Sequence, residues 1–387
     1  MYAKKLLILF ICSMLFFASH AQQNETAAEV DVHSLSLYNA AQWEILLIYG
    51  KGKLASGIDF PLLRMRTGYA AFMMGNYSQS LVQYKKVYDD DGANTAALYY
   101  VYLNNLYLNN PIAARYYAAK LPAETQVSEK IVKTKISSLQ TEYSYKIPDD
   151  TARRAAQYAR VGFNLDLGRR LQLQQSVAYY TLLVNTTLAT NIVTYQKLQQ
   201  TEYYAKFVFA VTGQLSLIGA YHYISDQFPN TTFNSNIYFA GIKYSTPYFS
   251  VQADAGSGNF ATDYVQYDGI FTIYPLGNLN LYSISKYSSG TQSNFSQVLG
   301  AKLSKALWIE GNTTLGKADY LFDNDALYVK NDPDVNQFRC GASVYALLSK
   351  KLLLTLNYTF EQRQKQLSLV NNYFYQHSIN GGLTWKF

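Results

Sequence analysis

The sequence predicts an N-terminal α-helical domain followed by an antiparallel transmembrane β-barrel of about 14 strands, within a range of about 12 to 16. Three observations predict this fold class. Charged residues make up only 15% of the chain whereas aromatic residues reach 16%. The hydrophobic period changes from helical to alternating near Leu139, and the chain ends in an alternating strand that closes on Phe387.

The first 21 residues are typical of a secretory signal peptide. Lys4 and Lys5 precede an apolar stretch, and Ala21 ends a small-residue cleavage pattern. A membrane anchor is the alternative, but the apolar stretch is short for one. Residues 22–33 are predicted to be a flexible leader.

Residues 34–138 show helical periodicity, and within them a short pattern recurs. Gly75, Tyr77, Ser80 and Tyr84 define its first copy, and Ala114 and Ala118 fall at the positions of Ser80 and Tyr84 in a second copy, 34 residues later. That spacing is the period of tetratricopeptide (TPR) helix pairs, so the segment resembles two degenerate TPR-like repeats. An unrelated small helical bundle is the alternative.

Residues 139–387 are predicted to form the barrel. Val161, Phe163 and Leu165 alternate with polar residues, as expected of strands with one face toward lipid and one toward a lumen. Long polar connections are predicted at Thr187–Gln196, Gln227–Phe233, Lys317–Asn336 and Gln364–Asn371. Long loops belong outside the cell and short turns in the periplasm, so an even strand number places the helical domain in the periplasm.

The last strand carries Leu383, Trp385 and Phe387 on one face. This ending resembles the C-terminal insertion signal of outer-membrane proteins, which implies recognition by the barrel-assembly machinery. A strand of a soluble β-sandwich is the alternative.

Polar residues that alternate with the apolar ones are expected to face the lumen or its rim. These candidates are Asp166, Lys206, His222, Lys243, Glu310, Arg339, Glu361 and Arg363. Such charges must pair with one another or contact water, which leaves either a closed, self-paired lumen or a narrow hydrated conduit for a sugar polymer.

No pattern of catalytic, metal-binding or phosphate-binding residues stands out, so no catalytic residue, metal or cofactor is predicted. His222 offers the one alternative, a barrel enzyme acting on lipid or an envelope polymer. The net charge of +7, dispersed along the chain, does not indicate a nucleic-acid partner.

A signal peptide, helical repeats and a C-terminal barrel in this order resemble the YaiO family of outer-membrane β-barrel proteins. The pieces around Gly75 to Tyr84, the stretch Leu139 to Leu173 and the ending Leu383 to Phe387 carry the resemblance. More distantly, the order is similar to the poly-N-acetylglucosamine exporter. The resemblance implies an outer-membrane location, contact with its lipid, and a periplasmic protein or polysaccharide partner.

The sequence thus favours a non-enzymatic protein that acts as an anchor or scaffold, or as a polysaccharide export conduit. A small-solute porin is the remaining alternative, and it requires an open lumen.

Overall fold

The computed structural model describes residues 25–131, 134–150, 152–187, 193–260, 262–331, 334–365 and 372–387, and the chain divides into two compact units at Met74 and Gly75. The predicted signal peptide lies outside the described residues. Within the described ranges, no helix is both long enough and apolar enough to cross a membrane.

In its described part, from residue 25 onward, the first unit contains three helices, α1 (Ala27–Asn39), α2 (Trp43–Ala55) and α3 (Pro61–Met73). Leu46, Ala70 and Ala71 form the centre of its core, and all three are fully buried. α1 begins within the stretch that the sequence predicts as a flexible leader. Thr26 caps this helix with Glu29 in a reciprocal capping box, which satisfies backbone donors at its first turn.

Four helices open the second unit: α4 (Tyr77–Asp90), α5 (Thr95–Tyr107), α6 (Pro111–Ala118) and α7 (Ala123–Ser128). Asn76, Asn94 and Asn110 each cap a helix by accepting a hydrogen bond from a backbone N–H of its first turn. The helical segment was predicted to extend to residue 138, but strand β1 already begins at Lys135.

The helix starts recur with a fixed spacing. α2, α4 and α6 begin at Trp43, Tyr77 and Pro111, which are 34 residues apart, and α3 and α5 begin at Pro61 and Thr95 with the same separation. The regularity of the helix starts therefore extends beyond the two copies found in the sequence.

The repeat-defining residues of the two copies lie at equivalent positions on their helices. Ser80 and Ala114 are fully buried on the first turns of α4 and α6, and Tyr84 and Ala118 are buried one turn later. Gly75 adopts a positive φ of 75° in the turn before α4, a conformation that favours glycine.

Fourteen antiparallel strands form a closed barrel, so the predicted fold class and strand number are confirmed. The barrel strands are β1 (Lys135–Pro148), β2 (Ala156–Leu167), β3 (Leu171–Thr187), β4 (Val193–Ala210), β5 (Leu215–Phe228), β6 (Thr231–Ser245), β7 (Phe249–Asn259), β8 (Asp263–Ile273), β9 (Leu281–Ser289), β10 (Ser293–Lys302), β11 (Leu307–Ala318), β14 (Val335–Leu347), β15 (Leu352–Gln364) and β16 (Tyr373–Lys386).

The barrel closes where β16 pairs with β1. Leu139 lies opposite Trp385 and Tyr143 opposite Gly381, so the predicted C-terminal strand lies beside the first one. Because the barrel is closed, each of its 14 strands pairs with a neighbour on both sides.

Alternation sorts the side chains between the two faces of the wall. Val161, Val177 and Leu299 point outward and are at least half exposed, whereas Gln252 and Asp254 of β7 are buried on the inside. The outer face is therefore apolar and the inner face polar, as the period of two requires.

In two predicted loops, strands occupy residues that were expected to lie in the connection. β4 begins at Val193 inside the stretch Thr187–Gln196, and only two residues separate β5 from β6 inside Gln227–Phe233. Thr187 pairs with Val193 and Phe228 with Thr231, so the polarity of these residues alone placed the strand ends too early. The stretch Gln364–Asn371 lies mostly outside the described residues.

We call one end of the barrel the helix end, because α4 and α6 contact its turns. These turns lie at residues 168–170, 211–214, 246–248 and 274–280. The opposite end is called the hairpin end, because the connection between β11 and β14 leaves the wall there. That connection contains β12 (Leu321–Asp323) and β13 (Tyr328–Lys330).

Candidate functional site

The β12–β13 hairpin lies inside the barrel, although the sequence predicted the stretch Lys317–Asn336 as an exterior loop. We call residues 321–330 the lumen hairpin. Its side chains and backbone contact the inner faces of strands from β1 to β14, so it crosses the lumen. Its turn has three successive residues with positive φ, Asn324, Asp325 and Ala326, at 52°, 57° and 62°. Such a turn is strained in non-glycine residues and persists only where its surroundings hold it.

Phe322 provides the apolar contact of the lumen hairpin with the wall. Its side chain is fully buried and packs edge-on against Tyr264, with ring centroids 5.3 Å apart. Gly256 faces it from β7, where a Cβ atom would lie 2.7 Å from the Phe322 ring. Glycine at this position therefore provides the space that the ring occupies.

Gln266 fixes the backbone of the same residue. Its amide nitrogen donates to the carbonyl oxygen of Phe322 at 2.8 Å, and its carbonyl oxygen accepts from the N–H of Phe322 at 2.9 Å. Gln266 is itself buried, and the pair of bonds satisfies backbone groups that would otherwise lie unpaired in the lumen.

The tip of the lumen hairpin is held by β4, β5 and β7. Lys206 Nζ lies 3.0 Å from Asp325 Oδ2, and Gln252 Nε2 donates to Asp325 Oδ1 at 2.9 Å. The Tyr204 hydroxyl donates to the backbone carbonyl of Asp325 at 2.9 Å. Four contacts, including that of His222 described next, thus surround the strained turn.

His222 anchors the tip and is fully buried. Its Nδ1 lies 2.7 Å from the carbonyl oxygen of Ala326, and since a carbonyl only accepts, Nδ1 carries the hydrogen. Nε2 lies 3.2 Å from Glu202 Oε2. Both ring nitrogens face protein oxygen atoms, so the imidazole has no open face toward a substrate while the hairpin is in place.

Charged residues hold the other side of the lumen hairpin. Lys286 Nζ donates to the carbonyl of Phe322 at 3.0 Å and lies 3.2 Å from Asp268 and 3.4 Å from Asp323. Arg339 lies 3.5 Å from the same Asp323. Because these charges neutralise one another inside the barrel, the inner wall carries a paired network around the hairpin.

The third contact area reaches β1 and β2. The Tyr328 hydroxyl donates to Glu142 Oε2 at 2.7 Å, and Arg160 donates to the same oxygen at 2.8 Å. The guanidinium of Arg160 also lies over the Tyr328 ring, 5.7 Å from its centroid. The lumen hairpin is therefore fixed on opposite sides of the barrel.

Further ion pairs stabilise the rim at the hairpin end. Asp150 accepts hydrogen bonds from Lys365 Nζ at 2.6 Å, from the Ala152 N–H at 3.2 Å and from Arg153, which also pairs with Asp334. Burial by itself raises the pKa of the Asp150 carboxyl, but these donors outweigh burial and hold the pKa below its usual range.

Of the polar residues predicted to face the lumen, Lys206, His222 and Arg339 contact the hairpin directly. Lys243 lies on the inner face of β6 between Ser216 and Gln252. Glu361 is the cross-strand neighbour of Arg339, at 3.9 Å.

The remaining candidates make separate contacts. Glu310 accepts hydrogen bonds from the hydroxyl groups of Tyr282 and Tyr345, the latter at 2.6 Å. Arg363 is buried, donates to Gln376 at 3.2 Å and lies over the Phe374 ring.

Asp166 is part of a contact between helix and barrel. Arg115 of α6 donates to Asp166 Oδ1 at 2.9 Å, to the Leu171 carbonyl at 3.1 Å and to the Gly168 carbonyl. Burial lowers the pKa of Arg115, and the nearby Asp166 opposes that shift. One guanidinium thus joins α6 to the turn between β2 and β3.

α4 contacts two other turns at the same end. The Ser78 N–H donates to the Gly277 carbonyl at 2.9 Å, and the Ser78 hydroxyl donates to the Pro247 carbonyl. Asn278 donates in return to the carbonyl of Gly75 at 3.2 Å. Backbone groups of the turns are therefore bonded to the helix start.

Tyr117 of α6 covers the turn between β4 and β5. A Cβ atom on Gly213 would lie 2.3 Å from the Tyr117 hydroxyl oxygen, so only glycine allows this approach. Burial raises the pKa of the Tyr117 phenol. The helices α4 and α6 thus contact four successive turns of the helix end.

Several residues of the network were missed by the sequence analysis. They are Glu142, Arg160, Glu202, Asp268, Lys286, Asp323, Asp325 and Arg115. Glu202 shares the strand and parity of Lys206, so alternation alone could have identified it. Asp323 and Asp325 had no such signal, because nothing in the sequence of a long polar connection indicates that it folds into the lumen.

Among the described residues, no group of three His, Cys, Asp or Glu side chains is placed to hold a metal ion. The chemistry of the site as it stands is ion pairing and hydrogen bonding between the hairpin and the wall.

No protein-family model and no curated protein matches this sequence. Among solved structures, the chain is similar to the outer membrane protein Omp33 of Acinetobacter baumannii, with 10% identity over 65% of this chain and 99% of that chain and a TM-score of 0.38.

Two further solved structures are similar over comparable lengths. The TodX deltaS2S3 mutant monoaromatic hydrocarbon channel matches with 9% identity over 67% of this chain and 92% of that chain, at a TM-score of 0.43. A bacterial polysaccharide outer membrane secretin matches with 9% identity over 65% of this chain and 98% of that chain, at a TM-score of 0.37. At this level of identity and TM-score, neither family membership nor function carries over.

Proposed function

We propose that this protein is an outer-membrane β-barrel that is closed at rest and that anchors a periplasmic helical domain, whose TPR-like repeats bind a protein or polysaccharide partner. The observation that carries the proposal is the lumen hairpin, which crosses the barrel and is bonded to both sides of its wall. Because the hairpin fills the lumen, the barrel anchors the protein in the membrane, and the helices bind the partner.

The apolar outer face supports the membrane location. Outward residues such as Val161, Val177 and Leu299 would be costly to expose to water and are the residues that lipid accommodates. The last strand alternates and carries Leu383, Trp385 and Phe387 on one face. This pattern resembles the C-terminal insertion signal and supports insertion by the barrel-assembly machinery.

The regular helix starts support the repeat assignment. Starts at Trp43, Tyr77 and Pro111 follow the 34-residue period of TPR helix pairs, which present surfaces to peptide segments or polymers. The contacts of α4 and α6 with barrel turns would keep such a surface next to the membrane.

Ion conductance in planar bilayers tests the closed barrel. The full-length protein should give no steady single-channel conductance, because the lumen hairpin excludes a continuous water path. A variant in which residues 320–331 are replaced by a short Gly-Ser linker should conduct. Steady conductance of the unmodified protein would refute the closed anchor and favour a porin.

A polysaccharide conduit is the second candidate, and one observation favours it. The lumen hairpin is held largely by polar and ionic contacts, such as Lys206–Asp325 and Lys286–Asp323, which water can replace when the hairpin moves. A conduit requires transient opening, so cross-linking the tip through cysteines at Lys206 and Asp325 should abolish export and leave partner binding intact.

Protease protection tests the orientation. In intact cells, α4 to α6 should resist added protease, and they should be cleaved once the outer membrane is permeabilised. Cleavage in intact cells would place the helices outside and overturn the periplasmic assignment.

A further inference from the structure

A recess of about 240 Å³ lies at the helix end of the barrel. Its walls come from α4 to α6, from the turns 213–216 and 245–247, from the inner faces of β4 to β7 and from the tip of the lumen hairpin. This volume is far larger than one water molecule needs. The recess is therefore large enough for a small organic ligand.

Of the residues that the structure describes, three lysines and one carboxylate line the recess: Lys85, Lys206, Lys243 and Asp325. Lys85 pairs with Asp89 outside the recess. Both oxygens of Asp325 are occupied, one by Lys206 and the other by Gln252. Among the described residues, Asp325 therefore forms its ion pair with Lys206 and none with Lys243.

Lys243 makes no hydrogen bond or ion pair with any residue in the described ranges. Its cross-strand neighbours, Ser216 and Gln252, also line the recess. The next carboxylate on the wall is that of Asp254, and both its oxygens accept from the Gln252 amide. The carboxylates of Asp325 and Asp254 act on the half-buried Lys243 ammonium only from beyond ion-pair distance, so a bound anion would give it a direct partner.

Neutral polar residues also line the recess. Tyr274, Asn109 and Ser216 are among the lining residues, and none of these side chains has a hydrogen-bond partner in the described part of the chain. Hydroxyl and amide groups of this kind bind the hydroxyl groups of a sugar, each being able to donate and accept.

We infer that the recess binds a sugar-sized ligand that carries one carboxylate or phosphate group, with Lys243 contacting the oxyanion. The carboxylate and phosphate share the chemistry that an ammonium recognises. Tyr274, Asn109 and Ser216 supply the uncharged contacts. This site goes beyond the anchoring function, and it requires neither an open lumen nor a bound periplasmic partner.

Isothermal titration calorimetry of the full-length protein in detergent tests the site, with glucuronate, glucose 6-phosphate and neutral glucose as probes at pH 7. At least one of the two charged sugars should bind saturably, and glucose should bind far more weakly. Which charged sugar binds distinguishes a carboxylate from a phosphate ligand. Absence of saturable binding for both charged sugars overturns the inference.

Variants assign the binding to Lys243. Lys243→Gln should weaken binding about tenfold, equivalent to about 1.4 kcal/mol, and Lys243→Arg should retain it. Lys305→Gln is the matched control, because Lys305 is exposed in a turn at the same end and does not line the recess. Equal affinity in Lys243→Gln and the unmodified protein overturns the assignment.

Resistance to unfolding in cold SDS shows that each variant keeps its barrel. If Lys243→Gln loses that resistance, Tyr274→Phe replaces it, since this change removes only a hydroxyl group from the recess. A weaker affinity for the charged sugar in Tyr274→Phe supports the inference, and an unchanged affinity overturns it.

Discussion

Arg115 joins α6 to the barrel, so its loss should release the helix from the wall. Arg115→Met keeps most of the length of the side chain and removes the guanidinium. Three acceptors lose the hydrogen bond from Arg115: the Asp166 carboxylate at 2.9 Å, the Leu171 carbonyl at 3.1 Å and the Gly168 carbonyl.

The size of the effect follows from burial. Removing one partner of a fully buried ion pair costs about 3–5 kcal/mol. The Arg115 side chain is 16% exposed and that of Asp166 is 7% exposed, so solvent screens the pair in part. Asp166 also keeps a bond from Gln172 at 3.2 Å. We therefore expect a loss of about 2 kcal/mol, within the range of about 1.5–3 kcal/mol for hydrogen bonds to charged groups.

Hydrogen exchange followed by mass spectrometry measures this loss. A drop of about 2 kcal/mol in the opening free energy makes amides of α6 exchange roughly 30-fold faster. Arg64→Met is the matched control, because Arg64 pairs with Asp59 in the first unit and its loss should leave α6 unchanged. Unaltered exchange of α6 in a correctly folded Arg115→Met variant would show that this residue does not hold the helix.

Three further predictions address the glycine contact, the lumen hairpin and the rim. Gly213→Ala places a methyl group against the Tyr117 ring and should speed hydrogen exchange of the α6 amides. Gly269→Ala is the control, because nothing lies within 4 Å of the added atom, and it should leave this exchange unchanged. Equal exchange rates in the two variants would refute the contact. Phe322→Ala should lower the free energy of unfolding by about 3–5 kcal/mol, because it leaves a cavity. The barrel should then unfold in SDS at a lower temperature and show intermittent conductance. A variant as stable and as closed as the unmodified protein would contradict the packing role of Phe322. Asp150 has a pKa below its usual range, so its contribution is present at neutral pH and disappears as the pH falls below about 4. The stability difference between the unmodified protein and Asp150→Asn, measured by guanidinium unfolding, should therefore shrink on acidification, and a difference that is constant with pH would argue against the ion pairs.

Part of the site follows from the sequence. Alternation along β4, β5 and β14 is sufficient to place Lys206, His222 and Arg339 on the inner face, because successive side chains of a strand point to opposite sides. The same rule would have found Glu202. Alternation does not identify the partners of these residues. Asp325, Ala326 and Asp323 belong to a connection without a regular hydrophobic period, so no pattern predicts where it lies.

For the helices, too, local features could be predicted from the sequence, but their contacts with the barrel could not. The 34-residue spacing and the asparagine caps are local features, and they locate α4 and α6 within a few residues. The pairing of Arg115 with Asp166 joins positions 51 residues apart and depends on where α6 meets the barrel. No pattern within either segment encodes that meeting.

By itself, the sequence determined the wall of this barrel: the number of strands, their alternation and the closing strand that ends at Phe387. These follow from a period of two that each strand carries within itself. Only the tertiary structure decided that the β12–β13 hairpin enters the lumen and that Arg115 is bonded to the helix end. Both depend on charges and cavities contributed by distant segments, and those come together only when the chain has closed.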